Sequence, residues 1–111
     1  MKVAVVGSRT FNDYRRLETI LDGFKISTIV SGGANGADLL AERYANENGL
    51  EKLIFLPDYD THGRAAPLIR NTDIVENADM VVSCWDGESR GTRDSMRKAH
   101  KLRKDLMIIY F

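Results

Sequence analysis

Thr28-Ile29-Val30-Ser31-Gly32-Gly33-Ala34-Asn35-Gly36-Ala37-Asp38 passes from a β-branched run through a glycine-rich turn into the start of a helical pattern. Glycines let a backbone turn with positive φ and approach a ligand closely. The unpaired N–H groups and dipole of the helix that follows favour an anion there. The same order recurs once, where the apolar run Met80 to Cys84 leads through Asp86-Gly87-Glu88-Ser89-Arg90-Gly91-Thr92 into a second helix-patterned stretch. Two turns with the features of a phosphate cradle on one short sheet point to a ligand more strongly than either alone.

Working outward, five apolar runs recur at Val3 to Val6, Thr28 to Val30, Leu53 to Leu56, Met80 to Cys84 and Leu106 to Tyr110, separated by 21 to 23 residues. Near-continuous β-branched and bulky runs at this spacing suit parallel strands buried on both faces. Between them, Leu17, Ile20, Leu21 and Phe24, and then Ala37, Leu40, Ala41 and Tyr44, follow the i, i+3, i+4, i+7 rule of a helix with one buried stripe. Pro67 suits a first helical turn ahead of Leu68, Ile74, Val75 and Ala78, and Met96, Ala99 and Leu102 mark a fourth helix among Arg and Lys. The alternation predicts a Rossmann-like three-layer α/β sandwich: a five-stranded parallel sheet of order 3-2-1-4-5, preferred over 2-1-3-4-5, with about four helices. In that order the ligand crevice lies between the carboxyl ends of strands 1 and 4, where Gly7-Ser8-Arg9-Thr10 meets both glycine loops.

The chain has 111 residues, 43% hydrophobic and 29% charged, which fits a single domain over residues 1–111. Sixteen basic and sixteen acidic residues cancel. A formal charge of zero supplies no overall field, so nucleic acid is read as an unlikely partner and membrane as none, with local patches left open. Lone Cys84 offers no disulfide framework, and Met1-Lys2 runs straight into a strand without a leader pattern; a cytoplasmic protein is expected. His62 and His100 lack ligand-spaced partners, so neither a metal nor a resident cofactor is expected. The ending Leu106 to Phe111 leaves apolar residues on an edge strand that a homodimer would cover.

The second-strand loop lacks the Gly-Lys-Ser/Thr ending of a Walker loop, and it sits after the wrong strand for the dinucleotide fingerprint. Asp38 reads first as a first-turn carboxylate that complements the helix dipole. It would repel a phosphate, and a sugar or base hydroxyl is its chemically sensible partner. Ser8 and Thr92 offer hydroxyls that capping also explains. Arg9 and Arg90, immediately after strands 1 and 4, could grip a phosphate across the crevice. Arg70-Asn71 reads by default as solvated helix, Trp85 equally as strand-end core or stacking face, and the basic run Arg97 to Lys104 as a solvated face at a helix end.

Taken together, Val6-Gly7-Ser8-Arg9, the Ser31 to Asp38 loop, Arg70-Asn71 and Trp85 to Thr92 resemble the YspA, cpYpsA-related branch of the SLOG superfamily, from Val3 to about Tyr110. The resemblance implies a Rossmann-like fold that binds nucleotides or nucleotide-derived ligands. It implies a pocket built from Ser8, Arg9, Gly32, Gly33, Gly36, Asp38, Arg70, Asn71, Ser89, Gly91 and Thr92, to which the reading of the loops adds Gly7, Asn35 and Arg90 as candidate nucleotide-binding residues. Related LOG phosphoribohydrolases carry Gly-Thr-X-X-Glu, whereas Gly91-Thr92 is followed by Arg93, Asp94 and Ser95, so Ser95 fills the slot of the catalytic Glu. The DNA-processing protein DprA is similar at Gly-Ser-Arg, Ser-Gly-Gly-Ala-X-Gly-Ala-Asp and Arg-Asn. The expected function is nucleotide binding or sensing. A phosphoribohydrolase and a DprA-like DNA-binding protein, with the basic helix tracking phosphates, are the alternatives.

Overall fold

Buried runs pair where their side chains find cover on both faces, as three do here at the centre of a sheet completed by two more exposed edge strands. The computed structural model describes residues 1–111. Strands β1 (Lys2–Gly7), β2 (Thr28–Ser31), β3 (Glu51–Ile54), β4 (Met80–Trp85) and β5 (Asp105–Tyr110) form one sheet of order β3-β2-β1-β4-β5. Every pairing is parallel. The sheet order is the one expected.

Helices α1 (Tyr14–Leu21) and α2 (Ala37–Glu47) cover one face. Alternation in the strands sends Val3, Val5, Ile29, Val82 and Cys84 to that side, where they pack with Phe11, Leu17, Leu21, Ala41 and Tyr44. A short helical turn α3 (Tyr59–His62) and a 3-10 turn (Gly63–Ala65) lead into α4 (Ala66–Glu76), which with α5 (Arg90–Lys101) covers the other face. Ala4, Val6, Val30 and Val81 meet Ile74, Val75 and Ala99 there. Pro67 falls in the first turn of α4, where its missing N–H has no bond to lose. No helix is long and apolar enough to cross a membrane.

Two local expectations are corrected. The third strand is Glu51–Ile54, two residues earlier than the apolar run Leu53 to Leu56, because the parallel register sets Thr28 to Ser31 against Glu51 to Ile54. Only Leu53 of this edge strand is partly buried, and Leu56 stands 68% exposed beyond its end. The buried side of α5 is Thr92, Ser95 and Ala99, with Leu102 at the surface just past its end. At the opposite edge the chain end is tied down: Phe111 packs edge-on against Phe11 at 5.0 Å, and Arg16 Nη1 donates to the Tyr110 carbonyl at 2.7 Å.

Candidate functional site

The order β3-β2-β1-β4-β5 reverses direction between β1 and β4, so the loops after these strands diverge and leave a crevice. A cleft of about 420 Å³ lies there, within the roughly 300–1,000 Å³ usual for small-molecule sites. Its walls are Val6 to Thr10 at the end of β1 and just beyond, Ala34 and Asp38 from the β2 loop and α2, Pro67, Leu68, Arg70, Asn71 and Ile74 of α4, and Asp86, Ser89, Gly91, Thr92 and Ser95 around the start of α5. Five polar residues on it, Ser8, Asp38, Asn71, Thr92 and Ser95, are at most 6% exposed. Polar groups so deeply placed are costly unless something pairs with them.

Close packing of backbone shapes one wall. Gly36, at φ 79°, precedes α2, and a Cβ there would lie 2.5 Å from the carbonyl oxygens of Ser8 and Arg9. Only glycine allows both the backbone angle and that approach. A Cβ on Gly7 would collide with Ala37 and Cys84, so α2 sits directly against the end of β1.

The β2 loop holds an anion already, and that anion belongs to the protein. Asp38 Oδ2 accepts from the N–H groups of Gly32 and Ala34, each at 3.2 Å. Arg70 Nη1 donates to the Gly32 carbonyl at 2.8 Å, and Arg70 Nε to Asn71 Oδ1 at 3.2 Å. Burial raises the Asp38 carboxyl to about 6, against the two amides and Arg70, which favour its charge. Both Asp38 hydrogen bonds use Oδ2, which leaves Oδ1 without a protein partner, and Asp38 lines the cleft. Asp38 is therefore more than a dipole-complementing residue: it closes the loop on itself.

The second glycine loop is built differently. Asp86 Oδ1 accepts from the amides of Glu88 and Ser89 at 2.9 and 2.8 Å, bonds that hold its carboxyl below the usual range. Ser89 caps α5, its Oγ accepting from Thr92 N at 3.4 Å and lying 2.9 Å from Thr92 Oγ1. The N–H groups of Arg90 and Gly91, in the first turn of α5, have no acceptor within the protein. Those free donors, with the Ser89 and Thr92 hydroxyls and Arg9 on the facing wall, are what a phosphate needs.

Of the residues singled out from sequence, Gly7, Ser8, Arg9, Asp38, Arg70, Asn71, Ser89, Gly91 and Thr92 line the cleft. Gly32, Gly33, Asn35 and Gly36 shape the loop behind it, and exposed Arg90 stands outside, so Arg9 and Arg90 do not face each other across it. Thr10, Ala34 and Asp86, which belong to the three loops expected at the crevice, line it too, whereas Pro67, Leu68, Ile74 and Ser95 are lining residues that sequence reasoning missed; the three-residue step from Thr92 to Ser95 on one helix face was the available signal for the last. Ser95 Oγ donates to the Gly91 carbonyl at 3.4 Å. Asp94 is outside the lining, its Oδ2 accepting from Lys98 at 2.8 Å and Asn71 at 3.1 Å. Trp85 is also outside; its Nε1 donates to the Ser89 carbonyl at 3.2 Å and its ring leans on Tyr110.

A second hollow of about 460 Å³ between α1 and α2 is slightly larger. Its groups satisfy one another: Glu47 accepts from Tyr14 Oη at 2.7 Å and Arg43 Nε at 2.9 Å, and Arg43 lies 3.9 Å over the Tyr14 ring. It presents little that a ligand would complete.

The model of the YspA, cpYpsA-related SLOG family matches residues 1–62. Gene 61 protein of Mycobacterium phage D29 is 33% identical over 111 residues, an alignment covering 90% of this chain and 89% of that protein. Among solved structures, DNA processing protein A from Helicobacter pylori, described for its unique single-stranded DNA binding mode, superposes with a TM-score of 0.76 at 25% identity over 97% of this chain. DNA processing protein A from Streptococcus pneumoniae does so with a TM-score of 0.80 at 22% identity over 96%. The chain spans 64% and 49% of those two structures.

These likenesses correct the expectation that nucleic acid is an unlikely partner. The physical error lay in using net charge, which averages over the surface. The chain sums to zero, yet α5 alone carries Arg90, Arg93, Arg97, Lys98 and Lys101 against one acid, Asp94.

Proposed function

The chain belongs to the YspA, cpYpsA-related SLOG family, and from that premise we propose that its cleft seats one nucleotide unit through its phosphate. The observation that carries this reading is the convergence of five nearly buried polar side chains and the unpaired first-turn amides of α5 on one cleft at the switch point of the sheet. Phosphate lies at the start of α5, because the β2 loop already holds the Asp38 carboxylate. Arg9 and Arg70 line the same cleft and offset the charge brought in.

One observation favours a second level to this reading, in which the seated nucleotide belongs to a single strand. Arg90, Arg93, Arg97 and Lys101 follow one another at three- and four-residue steps down α5, all exposed and none in an ion pair. This stripe begins beside the cleft and would carry the neighbouring phosphates, and the structural likeness to DNA processing protein A supports it.

Thermal unfolding with mononucleotides, and anisotropy with a labelled single-stranded oligonucleotide at several salt concentrations, test both levels. A ligand at a hundredfold excess over Kd adds about 2.7 kcal/mol, and a domain near this size gains roughly 4 to 8 °C per kcal/mol. Stabilisation by mononucleotides supports the seat, and a steep fall of strand affinity with salt supports the stripe. A protein that neither is stabilised by any nucleotide nor retains a strand overturns the proposal.

A further inference from the structure

Asp38 is a buried carboxylate with one oxygen already committed, and what its other oxygen does decides which ligands enter. Its side chain cannot swing away without stranding the Gly32 and Ala34 amides, and Arg70 braces the same loop through the Gly32 carbonyl. A Cβ built on Gly32 would lie 3.0 Å from Asp38 Oδ2 and 2.5 Å from Arg70 Nη1, so the three groups are packed with no slack. The unpartnered oxygen, Oδ1, thus presents a fixed acceptor with negative charge in a cleft whose free donors lie elsewhere, at the start of α5.

Resting on the reading of the cleft as a phosphate seat, we propose that Asp38 is its specificity-determining residue. It accepts a hydrogen bond from a free sugar hydroxyl of a nucleotide that carries a single phosphoryl group, and it rejects a nucleotide bearing a second phosphate at that hydroxyl. A hydroxyl donates to a carboxylate, whereas a phosphate has only acceptor oxygens and like charge to offer it. The β2 loop, which without Asp38 would be a second anion nest, is closed to phosphate by the protein's own carboxylate. Two sources supply this chemistry: a free nucleoside 5′-monophosphate, and the terminal nucleotide of a strand with an unesterified 3′-hydroxyl.

The test compares wild type with Asp38→Asn by calorimetry, using 5′-monophosphates, 3′,5′-bisphosphates and 2′,3′-dideoxy 5′-monophosphates of the four common nucleosides. An oligodeoxynucleotide ending in a 3′-hydroxyl or a 3′-phosphate completes the set. Asparagine keeps an oxygen for the Gly32 and Ala34 amides, so the loop stays closed. Wild type should prefer monophosphates to the bisphosphate and dideoxy compounds. Asp38→Asn should weaken the monophosphate about tenfold, the size of one charge-assisted hydrogen bond, and tighten the bisphosphate. A merely structural role would move all ligands the same way. The discrimination appearing with mononucleotides assigns the free nucleotide; appearing only with the two oligonucleotides, it assigns the strand end. Wild type that binds monophosphate and bisphosphate equally, with Asp38→Asn unchanged, overturns this inference and leaves the seat intact. Wild type that binds no phosphorylated compound overturns both.

Discussion

At the residue scale, glycine and aspartate make the clearest commitments. Gly36 combines φ 79° with a would-be Cβ 2.5 Å from two carbonyl oxygens. Gly87, at φ 87°, has open space. Gly36→Ala should therefore cost more than Gly87→Ala, about 3 kcal/mol or more against about 1, because only the first adds backbone collision to conformational strain. Chemical denaturation of the two variants checks the ranking, and equal losses would contradict it. Asp38 carries a pH signature. Its folded-state carboxyl is raised to about 6 from an ordinary 3.8, so the folded protein binds the proton more tightly than the unfolded chain. Its contribution to stability is most favourable below about pH 4 and falls as pH rises to about 6, by about 3 kcal/mol in all. Asp58 and Asp86, lowered by local hydrogen bonds, slope the other way. The wild-type curve minus the Asp38→Asn curve isolates the effect. Denaturation midpoints between pH 4 and 7 should show that difference declining with pH, and a flat or rising difference would contradict the burial argument. That Asp38 shuts its own loop was not legible in the sequence, because its bonds to Gly32 and Ala34 exist only once the turn has formed.

Element-scale reasoning depends on what each face meets. The three interior strands β2, β1 and β4 were readable because burial on both sides leaves near-continuous runs. The edge strand β3 was not, since its position is fixed by pairing with β2 while the more apolar Phe55 and Leu56 lie past its end. Helix α5 misled for a related reason: Thr92 and Ser95 are buried against the cleft, so the helix's inner face is partly polar near its start and apolar only from Ala99. Its outer face carries the stripe on which strand binding rests. Replacing Arg90, Arg93 and Arg97 together with glutamine should reduce the dependence of log affinity on log salt by about 2, at about 0.7 per phosphate contact on a single strand, with the fold unchanged. Anisotropy titrations across salt read this directly, and an unaltered slope would detach the stripe from binding. Asp94→Asn removes one i,i+4 pair with Lys98 and should cost under about 1 kcal/mol, since both side chains keep about a quarter of their surface in water. A larger loss in denaturation would mean that the bond to Asn71 carries more than the ion pair.

For the whole molecule, topology carried the most information: strand order placed loops distant in sequence at one switch point, and the structure brings the end of β1, the loop after β4, and α2, α4 and α5 to one cleft. Arg70-Asn71 shows the limit of local reading, because a helix position alone marks them as solvated, and only the packing of α4 over the end of the sheet turns them inward. Net charge failed for the converse reason, since a global sum erased a segregated surface. The most direct test of the phosphate seat is an amide chemical-shift titration with a nucleoside 5′-monophosphate and with a short single strand. The account predicts that the largest shifts fall on Ser8, Arg9, Arg90, Gly91 and Thr92, saturating together. Shifts confined to the hollow between α1 and α2, around Tyr14 and Arg43, would contradict it.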